Sequence, residues 1–276
     1  MAHICNFIIT LFKLWLTACV SALSTPANSI ASTGQIDVGV SAKFTCLAGY
    51  AGNGQDTSTC LASGQWSSHN YQCDEDEWPS GTYSLLQPTN GCPSQFTTGY
   101  RSWRPERTGQ STFSQNPNLQ GYANQTHIEW HFCTKATGSG SSAWPVGDYC
   151  VMRKGGTCPS GFTMGMITFD EEDSAPSGRS QGTGVLPDGN YGSNTDLYFC
   201  CKSDGSVAVE TTFPVSTPFI LFRYSSSSCQ LVSGMTVEPG YTFFDSEPNG
   251  NIDNSEGEVP YTSTPPTWYI YHCYYH

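Results

Sequence analysis

The chain has 276 residues, a formal net charge of −12, 13% aromatic residues and only 12% charged ones. A polyanion repels nucleic-acid phosphates and anionic lipid, and no run of Lys and Arg offers a local exception, so both partner classes are excluded. A disordered, solvating chain needs few aromatics and many charges, the reverse of what is present. Frequent Gly (28) and Pro (17) punctuate the sequence and argue against long helices.

The first 22 residues are apolar, carry only Lys13 as a base and end in small residues. They are expected to be a signal peptide, since Lys13 interrupts the run a spanning helix would need. Cleavage after Ala22 fits the small-residue rule at Val20 and Ala22 but leaves eleven cysteines. Cleavage after Ala18 leaves twelve and keeps Cys19, and is favoured because an odd thiol is a liability in a secreted protein. The thirteen cysteines include no C-x-x-C pair and no His at zinc spacing, so they read as a disulfide framework formed in an oxidising compartment. No second apolar run of membrane length follows, and the mature protein is expected to be secreted and extracellular.

Phe44-Thr45-Cys46-Leu47-Ala48-Gly49-Tyr50 is followed by Thr59-Cys60, then Gly64-Gln65-Trp66, then Cys73. This pattern resembles a sushi (complement control protein) module over residues 19–73. The resemblance implies the pairs Cys19–Cys60 and Cys46–Cys73, with Cys19 placed where the leader ends. So small a module relies on two bridges in place of a large core, with Trp66 and Tyr50 expected to pack inside. Asp74-Glu75-Asp76-Glu77 reads as a solvated linker.

From Trp78 the chain repeats. Trp78-Pro79-x-Gly81-x-Tyr83 recurs 66 residues on as Trp144-Pro145-x-Gly147-x-Tyr149; Cys92-Pro93-Ser94-x-Phe96 recurs as Cys158-Pro159-Ser160-x-Phe162, and Gly99 as Gly165. A fainter third copy starts near Pro214 and carries Cys229. The copies, 78–143, 144–212 and 213–276, close on Ile128–Cys133, Leu197–Cys200 and Ile270–Cys273. They predict an all-β, pseudo-threefold body of β-prism or trefoil-like form. Pairing the opening with the closing cysteine of each copy gives Cys92–Cys133, Cys158–Cys200 and Cys229–Cys273. Cys150 is left for Cys201, and the roles of 200 and 201 are interchangeable.

Trp144-Pro145-x-Gly147-x-Tyr149-Cys150, Phe169-Asp170-x-Glu172-Asp173, Leu186-Pro187-Asp188-Gly189-x-Tyr191-Gly192, Cys200-Cys201 and Cys273-Tyr274-Tyr275 together resemble the ApeC domain of the apextrin family over residues 78–276. The resemblance implies a secreted invertebrate protein of innate immunity or the extracellular matrix. Some members of that family bind bacterial peptidoglycan or its fragments.

The string Asp245–Glu256 follows the spacing of a calcium loop, with oxygen ligands at Asp245, Glu247, Asn249, Asn251, Asp253 and Glu256 and a turn at Gly250. Its flanks are not helical, which excludes an EF-hand, and an acidic loop held by Asx turns is the competing reading. Ca²⁺ is the one cofactor suggested. In the second copy Asp170, Glu172 and Asp173 form an acidic cluster that either holds a ligand or splays into water. Tyr100, Trp103 and Tyr122, in polar Gly-rich surroundings, are candidate platforms for sugar stacking. Asn124 heads a glycosylation sequon, and His131 and His272 are expected to be structural. No hydrolase, metalloprotease, phosphate-loop or dinucleotide motif occurs, so no enzyme is expected. The expected function is recognition of a bacterial cell-wall glycan, peptidoglycan. The alternative is a structural or adhesive matrix protein that contacts other extracellular proteins.

Overall fold

The computed structural model describes residues 18–32, 37–47, 50–75, 77–104, 111–114, 118–124, 126–138, 142–171, 181–245, 250–263 and 267–276, the side chains of Glu75 and Thr267 aside. The expected signal peptide lies almost wholly outside these residues. The chain divides into two compact units, 1–75 and 76–276. Among the described residues every regular element is a strand.

The first unit holds β1 (Ser29–Ala31), β2 (Ser41–Cys46), β3 (Tyr50–Asn53), β4 (Thr57–Thr59) and β5 (Gln72–Glu75). β2 pairs with β1 and β4, and β3 with β5. Cys19–Cys60 and Cys46–Cys73 staple it. Phe44 is its buried ring, 4.3 Å from His69, whereas Trp66 and Tyr50 are only half-buried. The Trp66 indole reaches the edge of the module and donates to the Ser21 carbonyl.

The second unit is three copies of one plan. Opening strands are β6 (Tyr83–Leu86), β11 (Asp148–Arg153) and β16 (Phe219–Phe222). Middle strands are β7 (Thr97–Trp103), β12 (Thr163–Phe169) and β17 (Val237–Asp245). Closing strands are β10 (Ile128–Lys135), β15 (Thr195–Ser203) and β19 (Thr267–Tyr275). In each copy the closing strand runs antiparallel between the other two. The opening strands meet at a hub, where Met152 faces Ser84, Cys150 faces Phe222 and Ile220 faces Leu86. They are buried on both faces and so lack the apolar–polar alternation of a half-exposed strand, with Ser84 in β6 held by the Thr134 hydroxyl. Leu86, Met152, Ile220 and Phe222 enter one core; Tyr83, Val151, Phe219 and Leu221 enter the other.

The short strands tie the copies together. They are β8 (Thr112–Phe113), β9 (Gly121–Ala123), β13 (Gly182–Gly184), β14 (Gly189–Tyr191) and β18 (Asn254–Gly257). β9 and β14 pair with the closing strand of their own copy. The others cross over: β8 of copy one joins β17 of copy three, β13 of copy two joins β7 of copy one, and β18 of copy three joins β12 of copy two. Each copy donates one strand and receives one, in a closed cycle. Close crossing demands glycine beneath the donated strand. A Cβ on Gly99 would lie 2.5 Å from the Val185 carbonyl oxygen, and one on Gly165 only 2.1 Å from that of Glu258.

The repeated Trp-Pro corner has a polar explanation. The Tyr83 hydroxyl donates to the Pro79 carbonyl and the Tyr149 hydroxyl to that of Pro145. Lys135 and Lys202 donate to the same two carbonyls. Copy three has Phe219 where the tyrosines stand and Tyr275 where the lysines stand, which is why its sequence match is faint. The bridges Cys92–Cys133, Cys158–Cys200, Cys229–Cys273 and Cys150–Cys201 complete the unit. Each of the first three closes a loop of some forty residues, worth about 4 kcal/mol by loop entropy.

Gly165→Ala is expected to lower stability by about 2 kcal/mol or more, since the added methyl must displace the backbone of the donated strand. Denaturant unfolding with the bridges intact measures it. Hydrogen exchange should localise the loosening to Asn254–Gly257, and unchanged protection there would contradict the crossing constraint.

Candidate functional site

One residue per strand lines up in a row on the outer face of each copy. Continuing the pairing registers by one step sets Gln87, Arg153 and Arg223 opposite His131, Tyr198 and Tyr271. The middle strands add Tyr100, Met166 and Tyr241 opposite those same three residues. A fourth member is fixed by an equivalent 2.8 Å backbone bond in every copy: Gln120 to Gln87, Asp188 to Arg153 and Tyr261 to Arg223. The rows are therefore Gln120-Gln87-His131-Tyr100, Asp188-Arg153-Tyr198-Met166 and Tyr261-Arg223-Tyr271-Tyr241. One scaffold presents a neutral row, a charged row and an aromatic row.

The aromatic row is extended by the next outward pair, Tyr269 and Phe243. Ring centroids are 5.4 Å apart for Tyr261–Tyr271 and Tyr241–Tyr269, and 4.6 Å for Phe243–Tyr269. Tyr269 and Tyr271 are stacked 21° from parallel, and Arg223 lies 5.3 Å from the Tyr271 centroid. Tyr261 is 37% exposed and the other four rings are half-buried. The equivalents of Tyr269 are Glu129 and Asp196, and those of Phe243 are Ser102 and Thr168, so only copy three carries this plate of five rings. The rings arise from alternation in Trp268-Tyr269-Ile270-Tyr271-His272: Trp268, Ile270 and His272 are buried, and the tyrosines face out. The sequence reading missed the plate because its rings come from three separate segments. The period-two signal in β17 and β19 could have revealed it.

The predicted platforms fare differently. Trp103 is a correction: it is 1% exposed and packs edge-on against Trp130 at 5.4 Å, inside the core. It alternates with Tyr100 on β7 and shares the inward face of Gly99 and Arg101. Tyr100 is half-buried and stacks on His131 at 5.4 Å, and the His131 ring meets Glu129 at 2.8 Å. Tyr122 is 43% exposed on β9. Asn124 is exposed and its side-chain oxygen caps the backbone N–H groups of Thr126 and His127.

The acidic residues are brought together in part. Glu247, Asn249, Glu172 and Asp173 lie outside the described residues. Asp170 is buried, and its carboxylate accepts the Ile252 N–H at 2.9 Å, while Asp253 accepts the Asp170 N–H at 2.7 Å. The loops of copies two and three are thus clasped by reciprocal carboxylate–amide bonds. Asn251 accepts the Asp253 N–H, an Asx turn. Asp245 ends β17, and Glu256 is exposed on β18. Among the described residues no group of three or more His, Cys, Asp or Glu is placed to hold a metal ion.

Beside this clasp, Glu171 is 4% exposed, accepts from the Thr195 hydroxyl at 2.5 Å and pairs with Arg101 at 3.5 Å. Burial outweighs Thr195 and Arg101 and pushes its carboxyl up to about 7, from an ordinary 4.5. A raised acid contributes stability that is complete below its unfolded value and is lost as pH rises through the folded one. His272 acts oppositely: complete burial, then Arg223, holds it down at about 3, so stability falls as pH drops below 6.5. Glu171→Gln retains the His272 effect and removes its own. The melting temperature of wild type minus that of the variant should therefore fall steadily from about pH 5 to about pH 7.5 and level off above. A difference independent of pH in thermal scans would mean that the carboxyl does not titrate in that window.

Comparison with known proteins gives two family matches. The sushi repeat model matches residues 19–73, coincident with the first compact unit. The model for ApeC, the C-terminal domain of apextrin, matches residues 57–275, of which 57–75 fall in that first unit. No curated protein matches the chain. As the second match spans well over half of the sequence and all three copies, the chain belongs to the ApeC (apextrin C-terminal domain) family.

Proposed function

We propose that this is a secreted recognition protein that binds the glycan of bacterial cell walls, peptidoglycan, as part of innate immunity, and that it binds without catalysing a reaction. Sushi and ApeC domains with six disulfides fit an extracellular protein, and among the described residues no helix is long and apolar enough to cross a membrane. Sushi repeats mediate protein or ligand contacts, which suits a recognition role.

The observation that carries the reading is the plate of Tyr241, Phe243, Tyr261, Tyr269 and Tyr271. Rings held side by side on β17, β19 and the segment of Tyr261, several inclined to one another by 56–63°, offer apolar faces to successive sugars, and the tyrosine hydroxyls supply hydrogen bonds. Strand pairing fixes the rings in advance, so little conformational entropy is lost on binding. With a net charge of −12 the chain gains no long-range attraction to an anionic wall. Contact at the plate should therefore be short-range and nearly insensitive to salt.

Purified peptidoglycan should sediment the protein, while a matrix extract should not. Tyr269→Ala combined with Tyr261→Ala removes two rings and is expected to weaken binding by about 2 kcal/mol, roughly thirtyfold. Melting temperature and the disulfide map serve as fold controls. Retention equal to wild type would sink the plate as the binding surface. Dye release from labelled cell walls should stay at the buffer rate, and release above it would overturn the non-catalytic reading.

A further inference from the structure

We infer that copy two carries a second subsite, pseudo-threefold equivalent to the plate, that takes a carboxylate-bearing part of the same polymer; this rests on the glycan reading above. Arg153 and Tyr198 occupy the positions of Arg223 and Tyr271, and Asp188 that of Tyr261. Here the row opens into a groove of about 730 Å³ lined by Arg153, Lys154, Leu186, Asp188, Tyr191 and Tyr198.

The groove is built by the Leu186-Pro187-Asp188-Gly189-x-Tyr191 segment. The Tyr191 hydroxyl donates to the Pro187 carbonyl at 2.9 Å and fixes the turn. The Asp188 carboxylate is committed internally: it accepts the N–H of Gly155 at 3.1 Å, the N–H of Gly156 at 2.7 Å and Nε of Arg153 at 3.0 Å. Arg153 is held flat over the Tyr198 ring, 3.9 Å from its centroid. Lys154 is tethered by one bond to the Leu186 carbonyl, leaving ammonium protons to spare. Two cations against one carboxylate leave the groove net positive on a strongly negative chain. Such a place concentrates anions, and the Arg edge together with an ammonium suits a carboxylate.

Among the described residues, three other cations of this unit are spent inside: Arg101 on Glu171, Lys135 on Pro79 and Lys202 on Pro145 and Asp204. The first row cannot take the same part, since His131 there is bonded to Glu129 and no base replaces Gln87. Two subsites of different chemistry on one rigid scaffold would engage a repeating polymer at two points. A second attachment multiplies retention by about 10²–10⁴ over a single one.

The test uses the full secreted chain. A soluble disaccharide-peptide fragment of peptidoglycan, as the free acid and as its methyl ester, is titrated by calorimetry, and insoluble peptidoglycan is used for sedimentation. Variants are Arg153→Gln with Lys154→Gln in the groove, Lys154→Gln alone as the milder change, Tyr269→Ala in the plate and Gln87→Ala in the first row. Wild type should bind two fragments per chain, and the groove variants one. The groove variants should no longer distinguish acid from ester, and should lose at least about tenfold of polymer retention. Salt at 500 mM, a chosen condition of about 4 Å Debye length, should weaken only the groove's share. Gln87→Ala should match wild type. Groove variants with wild-type stoichiometry and retention, beside an impaired plate variant, would overturn this inference and leave the plate reading standing. Equal binding of acid and ester by wild type would overturn the carboxylate assignment. Retention unchanged in every variant would overturn both the groove and the plate as the binding surfaces, and no retention of wild type would bring down the glycan reading itself.

Discussion

Everything in the larger unit depends on backbones that cross closely enough for one copy to hydrogen-bond into the next. The hydrogen of Gly165 in place of a methyl lets β18 lie against β12, and that of Gly99 does the same for β13 against β7. Gly240 holds the equivalent place in β17, opposite His272. Because each donated strand belongs to a neighbouring copy, the crossings convert three weak three-stranded pieces into one body. The two cores then fill on either side of the hub strands, with Cys150–Cys201 buried in one and Cys133, Cys200 and Cys273 in the other.

Polar groups are used sparingly and mostly inward. Lys135, Lys202, Arg101 and Asp170 are all buried, and each is matched to a carbonyl, a carboxylate or an amide that the fold would otherwise leave unsatisfied. With those basic side chains consumed in this way, the outer rows present tyrosines, Arg223 beside Tyr271, and the groove of Arg153 and Lys154. The rows differ in chemistry because the scaffold fixes where a side chain stands and leaves its nature open. Glu129, Asp196 and Tyr269 occupy one position in three registers.

Much of the architecture was legible from residue spacing. The 66-residue shift marks two copies, because the Trp-Pro corner needs the same tyrosine both times, and the lysines that share its carbonyl follow 67 residues apart. The third copy is faint where Phe219 and Tyr275 replace them. Exposure was harder to read. Trp103 sits in a Gly-rich, polar stretch, and only the alternation of Gly99, Arg101 and Trp103 shows that it faces inward. Asp170 looks like part of a solvated acidic run, yet it is buried because its partners, Ile252 and Asp253, stand more than eighty residues away. No local pattern announces a clasp of that kind; the plate is announced in part by the period-two alternation of β17 and β19, whereas Tyr261 comes from a separate segment with no such signal.

The cyclic donation of strands also bears on how such a domain could have arisen. A chain holding one copy has one strand to give and one edge to fill, but the giving end and the receiving edge are not its own. Here three such pieces close the ring, each giving to one neighbour and receiving from the other. A single-copy chain built on this plan would need partners of its own kind to fill its edge. Fusion of its genes would have freed the three surfaces to diverge, as the neutral, charged and aromatic rows have done.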